Sequence, residues 1–168
     1  MGDYLLPDEL VAKAREVVET NIAAGRRVAV AESCTGGLVS AAITEIAGSS
    51  EMFEAGYVTY SNSSKMAELK VCLDVVETFG AVSIATAWAM AQGALEASQA
   101  DVAVAITGIA GPDGGTVQKP VGTVVFARAE RLDGPDKVVA DQKLFDASGG
   151  RSAVRLQAAL CALELLMP

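Results

Sequence analysis

The chain has 168 residues, 51% apolar and 20% charged, with a formal net charge of -8 and a sequence pI near 4.5. That size and balance predict one folded domain spanning residues 1–168, and the negative field argues against a nucleic-acid or anionic-membrane surface. There is no histidine, which excludes Ser-His-Asp and Cys-His catalysis and any histidine-ligated metal.

The three cysteines, Cys34, Cys72 and Cys161, form no CxxC pair. They predict reduced thiols in a cytoplasmic protein without a disulfide framework or zinc site. The N-terminal MGDYLLPDEL lacks a basic region followed by an apolar signal core, and no apolar run reaches membrane-spanning length.

Taken in order, residues 8–24 repeat Leu10, Val11, Ala14, Val17, Val18 and Ile22 at helical spacing, with Asp8 as cap and Gly25 as stop. RVAVA (27–31) is short, apolar and β-branched, the pattern of a buried strand. It runs into Glu32-Ser33-Cys34-Thr35-Gly36-Gly37 and a helix reaching about Ile46. Polar side chains and flexible backbone thus follow a strand's carboxyl end, where open α/β sheets bind ligands, and Thr35 and Gly36 become candidate substrate contacts. Cys34 is a rival nucleophile, because a helix N-terminus lowers a thiol pKa.

Residues 48–65, GSSEMFEAGYVTYSNSSK, gather hydroxyls, phenols and one lysine around an extended segment. Gly48 ends the preceding helix and 53–61 reads as a strand, with Val58 and Tyr60 on one side and Tyr57 and Thr59 on the other. Asn62 or Ser63 caps a helical turn carrying Lys65. Without histidine, a serine is activated by a neutral lysine if burial or a nearby cation lowers the amine from about 10.4 toward neutrality. Ser49 or Ser50 with Lys65 fits that chemistry.

Residues 73–79 form a short helix ending at Gly80, and 83–97 a longer one whose Trp88 and Met90 read as core. DVAVAI (101–106) is a third apolar strand, emptying into TGIAGPDGGT (107–116). This loop matches neither the P-loop nor GxGxxG. Its glycines, Gly108 and Gly111 among them, allow backbone N–H groups to approach a phosphate, carboxamide or oxyanion. Residues 121–129 and 138–145 read as strands joined by LDGPD (132–136), adding an antiparallel part to the sheet. A final helix over 151–166 begins at Arg151, where a cation opposes the helix dipole unless an anion is bound there; with Arg155 a turn later, this points to a phosphate or carboxylate ligand.

So placed, AESCTGG (31–37), IAGSS (46–50), GYVTYSNSSK (56–65), GAVS (80–83), TGIAGPDGG (107–115) and KPVGTV (119–124) make the chain resemble the CinA C-terminal domain family, nicotinamide-nucleotide amidases also called PncC. The resemblance implies a three-layer α/β/α fold with a mixed, mainly parallel sheet, and a homo-oligomer, with a dimer favoured. It also implies hydrolysis of the nicotinamide mononucleotide carboxamide to nicotinic acid mononucleotide and ammonia, with no metal or other cofactor. By the same resemblance Ser50 is the nucleophile and Lys65 the base, Tyr60 and Thr107 support the reacting groups, Ser33 lies in the pocket and Arg151 holds the phosphate.

Two departures accompany it. The extra N-terminal domain of longer CinA proteins is not expected in this chain, so its activities do not transfer. The approach to the last helix is lengthened by Asp146-Ala147-Ser148-Gly149-Gly150, which divides the phosphate role between Arg151 and Arg155. A nucleotide-binding module without chemistry is the alternative reading.

Overall fold

Alternation along three buried strands organises the molecule. In the computed structural model, which describes residues 4–168, β1 (Val28–Glu32), β3 (Val102–Gly108) and β4 (Thr123–Glu130) form the centre of a five-stranded sheet. Residues 1–3, the start of the MGDYLLPDEL stretch, lie outside the described residues. The edges are β2 (Phe53–Val58) and β5 (Val139–Leu144), in the order β2-β1-β3-β4-β5. β1 is parallel to both β2 and β3, while β4 is antiparallel to β3 and β5.

Period-two alternation sends Val28, Val30, Val102, Val104, Ile106, Val124 and Phe126 to one face, under α1 (Asp8–Ala23), α2 (Leu38–Thr44) and α6 (Gly150–Leu165). The other face is mostly alanine: Ala29, Ala31, Ala103, Ala105, Ala127 and Ala129, covered by α5 (Ile84–Glu96). α3 (Asn62–Leu69) and α4 (Leu73–Phe79) flank α5. Each fully buried Val or Ile contributes about 1.5–3 kcal/mol, whereas the small alanine face lets α5 lie close to the sheet. Gly93 continues that economy of space, since a Cβ there would stand 2.0 Å from the Leu69 carbonyl oxygen. The three-layer α/β/α arrangement implied by the resemblance is present, with the parallel part confined to β2-β1-β3.

Two caps differ from expectation. Pro7 occupies the cap position of α1, leaving Asp8 as its first residue. α3 is capped by Ser61, not Asn62 or Ser63, because Ser64 three residues later completes a reciprocal pair: each hydroxyl accepts the other residue's N–H at 3.1 Å. This cap fixes the phase of α3, which turns Lys65 and Leu69, four residues apart, into the protein.

Candidate active site

The parallel strands β1 and β3 end beside one another, and their carboxyl ends shape a cavity of about 180 Å³. Ser33, Cys34, Tyr60, Lys65, Ala81, Val82, Thr107, Gly108, Ala110 and Arg151 line it. Lys65 is the largest wholly buried side chain among the described residues. Its Nζ lies 2.9 Å from Ser33 Oγ, 2.7 Å from the Thr59 carbonyl oxygen and 3.3 Å from that of Tyr60. No carboxylate joins these contacts, and burial lowers the amine from its usual 10.5 to about 8.

Those three contacts define what the amine can do. A neutral amine has two N–H donors and one lone pair, and carbonyl oxygens only accept. With its N–H groups on Thr59 and Tyr60, the lone pair is left for the Ser33 hydroxyl. Ser33 is itself pinned, its N–H donating to Ile106 O at 2.9 Å. In the turn that follows, Gly36 N–H donates to Ser33 O and Leu38 N–H to Thr35 O. The N–H groups of Cys34 and Thr35 have no backbone acceptor among the described residues.

The far walls are equally fixed. Thr107 Oγ1 donates to Ala81 O at 2.8 Å, which holds the segment before α5 against β3. A Cβ on Gly108 would stand 2.8 Å from Val124 Cγ2, 2.9 Å from Thr123 O and 3.1 Å from Cys34 Sγ, so only glycine lets these elements close together. Arg151 spans the mouth, donating from Nη1 to Gly111 O and from Nη2 to Tyr60 Oη, both at 2.7 Å. Of its five N–H donors, the remainder are free of these two bonds.

The match to the CinA C-terminal domain family covers residues 11–168. This chain belongs to that family. It is 53% identical over 142 residues to the nicotinamide-nucleotide amidohydrolase PncC of Enterobacter agglomerans, covering 84% of each chain. The PncC of Escherichia coli (strain K12) is 48% identical over 159 residues, 94% of this chain and 93% of that one. A crystal structure of the competence/damage inducible protein CihA from Agrobacterium tumefaciens superposes with a TM-score of 0.91 at 44% identity, covering 99% of this chain and 97% of that one. Longer relatives also match: this chain spans 39% of a putative competence-damage inducible protein of Caldicellulosiruptor saccharolyticus.

Within this CinA C-terminal domain, the expected residues divide. Lys65, Tyr60, Ser33, Thr107, Gly108 and Arg151 share the cavity. Ser50 does not, and its placement beside Lys65 is corrected. Ser49–Glu51 is a 3-10 turn before β2, and Met52 O accepts the N–H of Val28 at the start of β1. Lys65 meets Ser33 beyond the other end of that five-residue strand, at about 3.3 Å per residue. Ser50 is also exposed.

Arg155 is not among the cavity's lining residues; its Nε and Nη2 donate to the carbonyls of Cys34 and Thr35, at 3.2 and 2.8 Å. Thr35 is fully buried with no partner for its hydroxyl among the described residues, and Gly36 packs near the Arg155 guanidinium; neither lines the cavity. Gly111 acts through its carbonyl on Arg151. Cys34 lines the cavity, but burial pushes its thiol up to about 11, opposite to what a nucleophilic thiolate requires. Tyr57 points elsewhere, donating to Ala97 O.

A larger hollow, about 510 Å³ between Phe79, Ser83, Ile84, Ala85, Trp88, Lys119 and Gln142, is mostly apolar. Its one hydroxyl, that of Ser83, donates to Gly80 O and has no amine partner. Among the described residues, no three His, Cys, Asp or Glu side chains gather where a metal ion could sit, and no helix is long and apolar enough to cross a membrane.

Proposed function

We propose that this chain hydrolyses the carboxamide of nicotinamide mononucleotide, giving nicotinic acid mononucleotide and ammonia in pyridine-nucleotide recycling, with Ser33 as nucleophile and Lys65 as base. The observation that carries this reading is the buried Lys65 amine, lowered to about 8, set 2.9 Å from the Ser33 hydroxyl. The two relatives named as nicotinamide-nucleotide amidohydrolases supply the substrate. In this scheme the lone pair of Lys65 takes the Ser33 proton as Oγ attacks the carboxamide carbon. The N–H of Cys34, which lines the cavity and has no backbone acceptor among the described residues, is the donor offered to the developing oxyanion. The Lys65 ammonium then protonates the departing amine as ammonia, and a water molecule, deprotonated by Lys65, hydrolyses the acyl-enzyme and restores Ser33.

At about 180 Å³ the cavity is smaller than the roughly 300 Å³ at which pockets for drug-sized ligands begin, which suits the pyridine carboxamide with the sugar phosphate at the mouth. Arg151 stands there with donors to spare, whereas the Arg155 guanidinium is engaged by two carbonyls; this favours Arg151 for the phosphate. The proposal includes a cytoplasmic homodimer. Three free cysteines support a reducing compartment, and exposed Phe79, Ile84, Trp88, Val139 and Leu144, near or on the edge strand β5, support an association surface.

The deciding experiment is ammonia release from nicotinamide mononucleotide by metal-free protein, comparing wild type, Ser33→Ala and Ser50→Ala. Wild type and Ser50→Ala should turn over alike, and Ser33→Ala should fall by about a thousandfold or more. Turnover persisting in folded Ser33→Ala would remove the serine from the mechanism. Ligand binding without ammonia release by the wild type would make the protein a binding module.

A further inference from the structure

Glu32 is the residue immediately before Ser33, and its side chain is wholly buried at the end of an otherwise apolar strand. Its carboxylate accepts three hydrogen bonds: Oε1 from Val39 N–H at 3.0 Å, and Oε2 from Ser40 N–H at 3.0 Å and Ser40 Oγ at 2.7 Å. Val39 and Ser40 are the second and third residues of α2, whose own cap position is Gly37, with φ of +95° and no side chain to offer. Glu32 therefore caps α2 from the strand, across the Ser33–Gly37 turn, and closes that turn into a ring.

Two further elements tighten it. Arg155 of α6 holds the Cys34 and Thr35 carbonyls within that turn. On β2, Gly56 leaves the space that Ser40 needs, since a Cβ there would stand 2.2 Å from Ser40 Oγ.

We propose that Glu32 is a positioning residue for the amidase reaction: by clamping both ends of the turn it fixes Ser33 Oγ against Lys65 and holds the Cys34 N–H at the cavity wall. The proposal rests on the Ser33–Lys65 reading. Its role is geometric, because the carboxylate spends its contacts on α2. A misplacement of about 1 Å costs on the order of 100-fold in rate, so loosening the clamp acts on turnover more than on substrate binding.

The test is steady-state kinetics with nicotinamide mononucleotide on Glu32→Gln, Ser40→Ala and Ser33→Ala, with circular dichroism and thermal melting of each. Glu32→Gln swaps one acceptor for a donor facing an N–H or hydroxyl, and kcat should fall about tenfold or more. KM should stay within about threefold and the midpoint of the pH profile should not move. Ser40→Ala removes one of three bonds and should lower kcat several-fold in the same way; if Glu32→Gln does not fold, this variant decides alone. Wild-type kcat in folded Glu32→Gln or Ser40→Ala, or a lower melting point with unchanged kcat, beside an inactive Ser33→Ala, overturns the clamp and leaves the serine mechanism standing. A fully active Ser33→Ala overturns the mechanism itself.

Discussion

Raising the pH from 6 to 10 should switch turnover on through one titration near 8, the value to which burial lowers Lys65. The gain is large because only the neutral amine accepts the Ser33 proton. At pH 7 a group titrating at 8 is neutral in about 9% of molecules, against about 0.03% for an amine at the ordinary 10.5, a difference of roughly 300-fold in competent enzyme. Initial rates of ammonia release should give log kcat/KM rising with unit slope below 8 and flat above it. A flat profile between pH 6 and 9, or a limb above 10, would refute the neutral-lysine argument. The same burial enters stability. Lys65 titrates lower in the folded chain than in the unfolded one, so between about 8 and 10.5 the unfolded state binds the extra proton and stability rises with pH through that window, by at most about 3 kcal/mol. Lys65→Met should lose this rise in urea unfolding at pH 7 and 10. Because Lys65 and Cys34 influence each other's titration, the comparison is made in a Cys34→Ala background, which removes the opposite contribution of a thiol whose raised pKa makes stability fall between about 9 and 11.

Arg151→Ala should raise KM for nicotinamide mononucleotide about 10- to 100-fold, the worth of a charge-assisted bond of roughly 1.5–3 kcal/mol, with a smaller change in kcat. Nicotinamide riboside, which lacks the phosphate, should show no such change, and equal losses for both compounds would place Arg151 elsewhere in the mechanism. At pH 7.5 only on the order of 0.03% of Cys34 is thiolate, so iodoacetamide should label exposed Cys72 while activity persists. Inactivation that tracks modification of Cys34 would revive the thiol as nucleophile.

The strands and most helices were legible because their burial is periodic: VAVA at 28–31 and VAVAI at 102–106 alternate valine or isoleucine with alanine, and the two faces of the sheet follow directly. Lys65 was legible through the missing histidine, which left a lysine as the available strong base near a cluster of hydroxyls. Its serine was harder to choose. Ser50 and Lys65 lie in one stretch of sequence, but the stretch contains a whole strand, and a strand carries its two termini to opposite ends of the sheet. Ser33 is 32 residues from Lys65 yet meets it, because parallel strands bring their carboxyl ends together. The rule that ligands collect at those ends already singled out the turn after β1, and applied to β2 it would have excluded Ser50, which precedes the strand. Glu32 left a signal too: an acidic residue ending a buried strand needs donors, and the N–H groups of the next helix lie nearest. Ala81 and Val82 were marked only through the GAVS stretch of the resemblance, since a wall is made by shape and carries no chemistry of its own to read. The chemistry of this site was thus written in residue types, whereas its pairing was written in strand direction, and only the second tells Ser33 from Ser50.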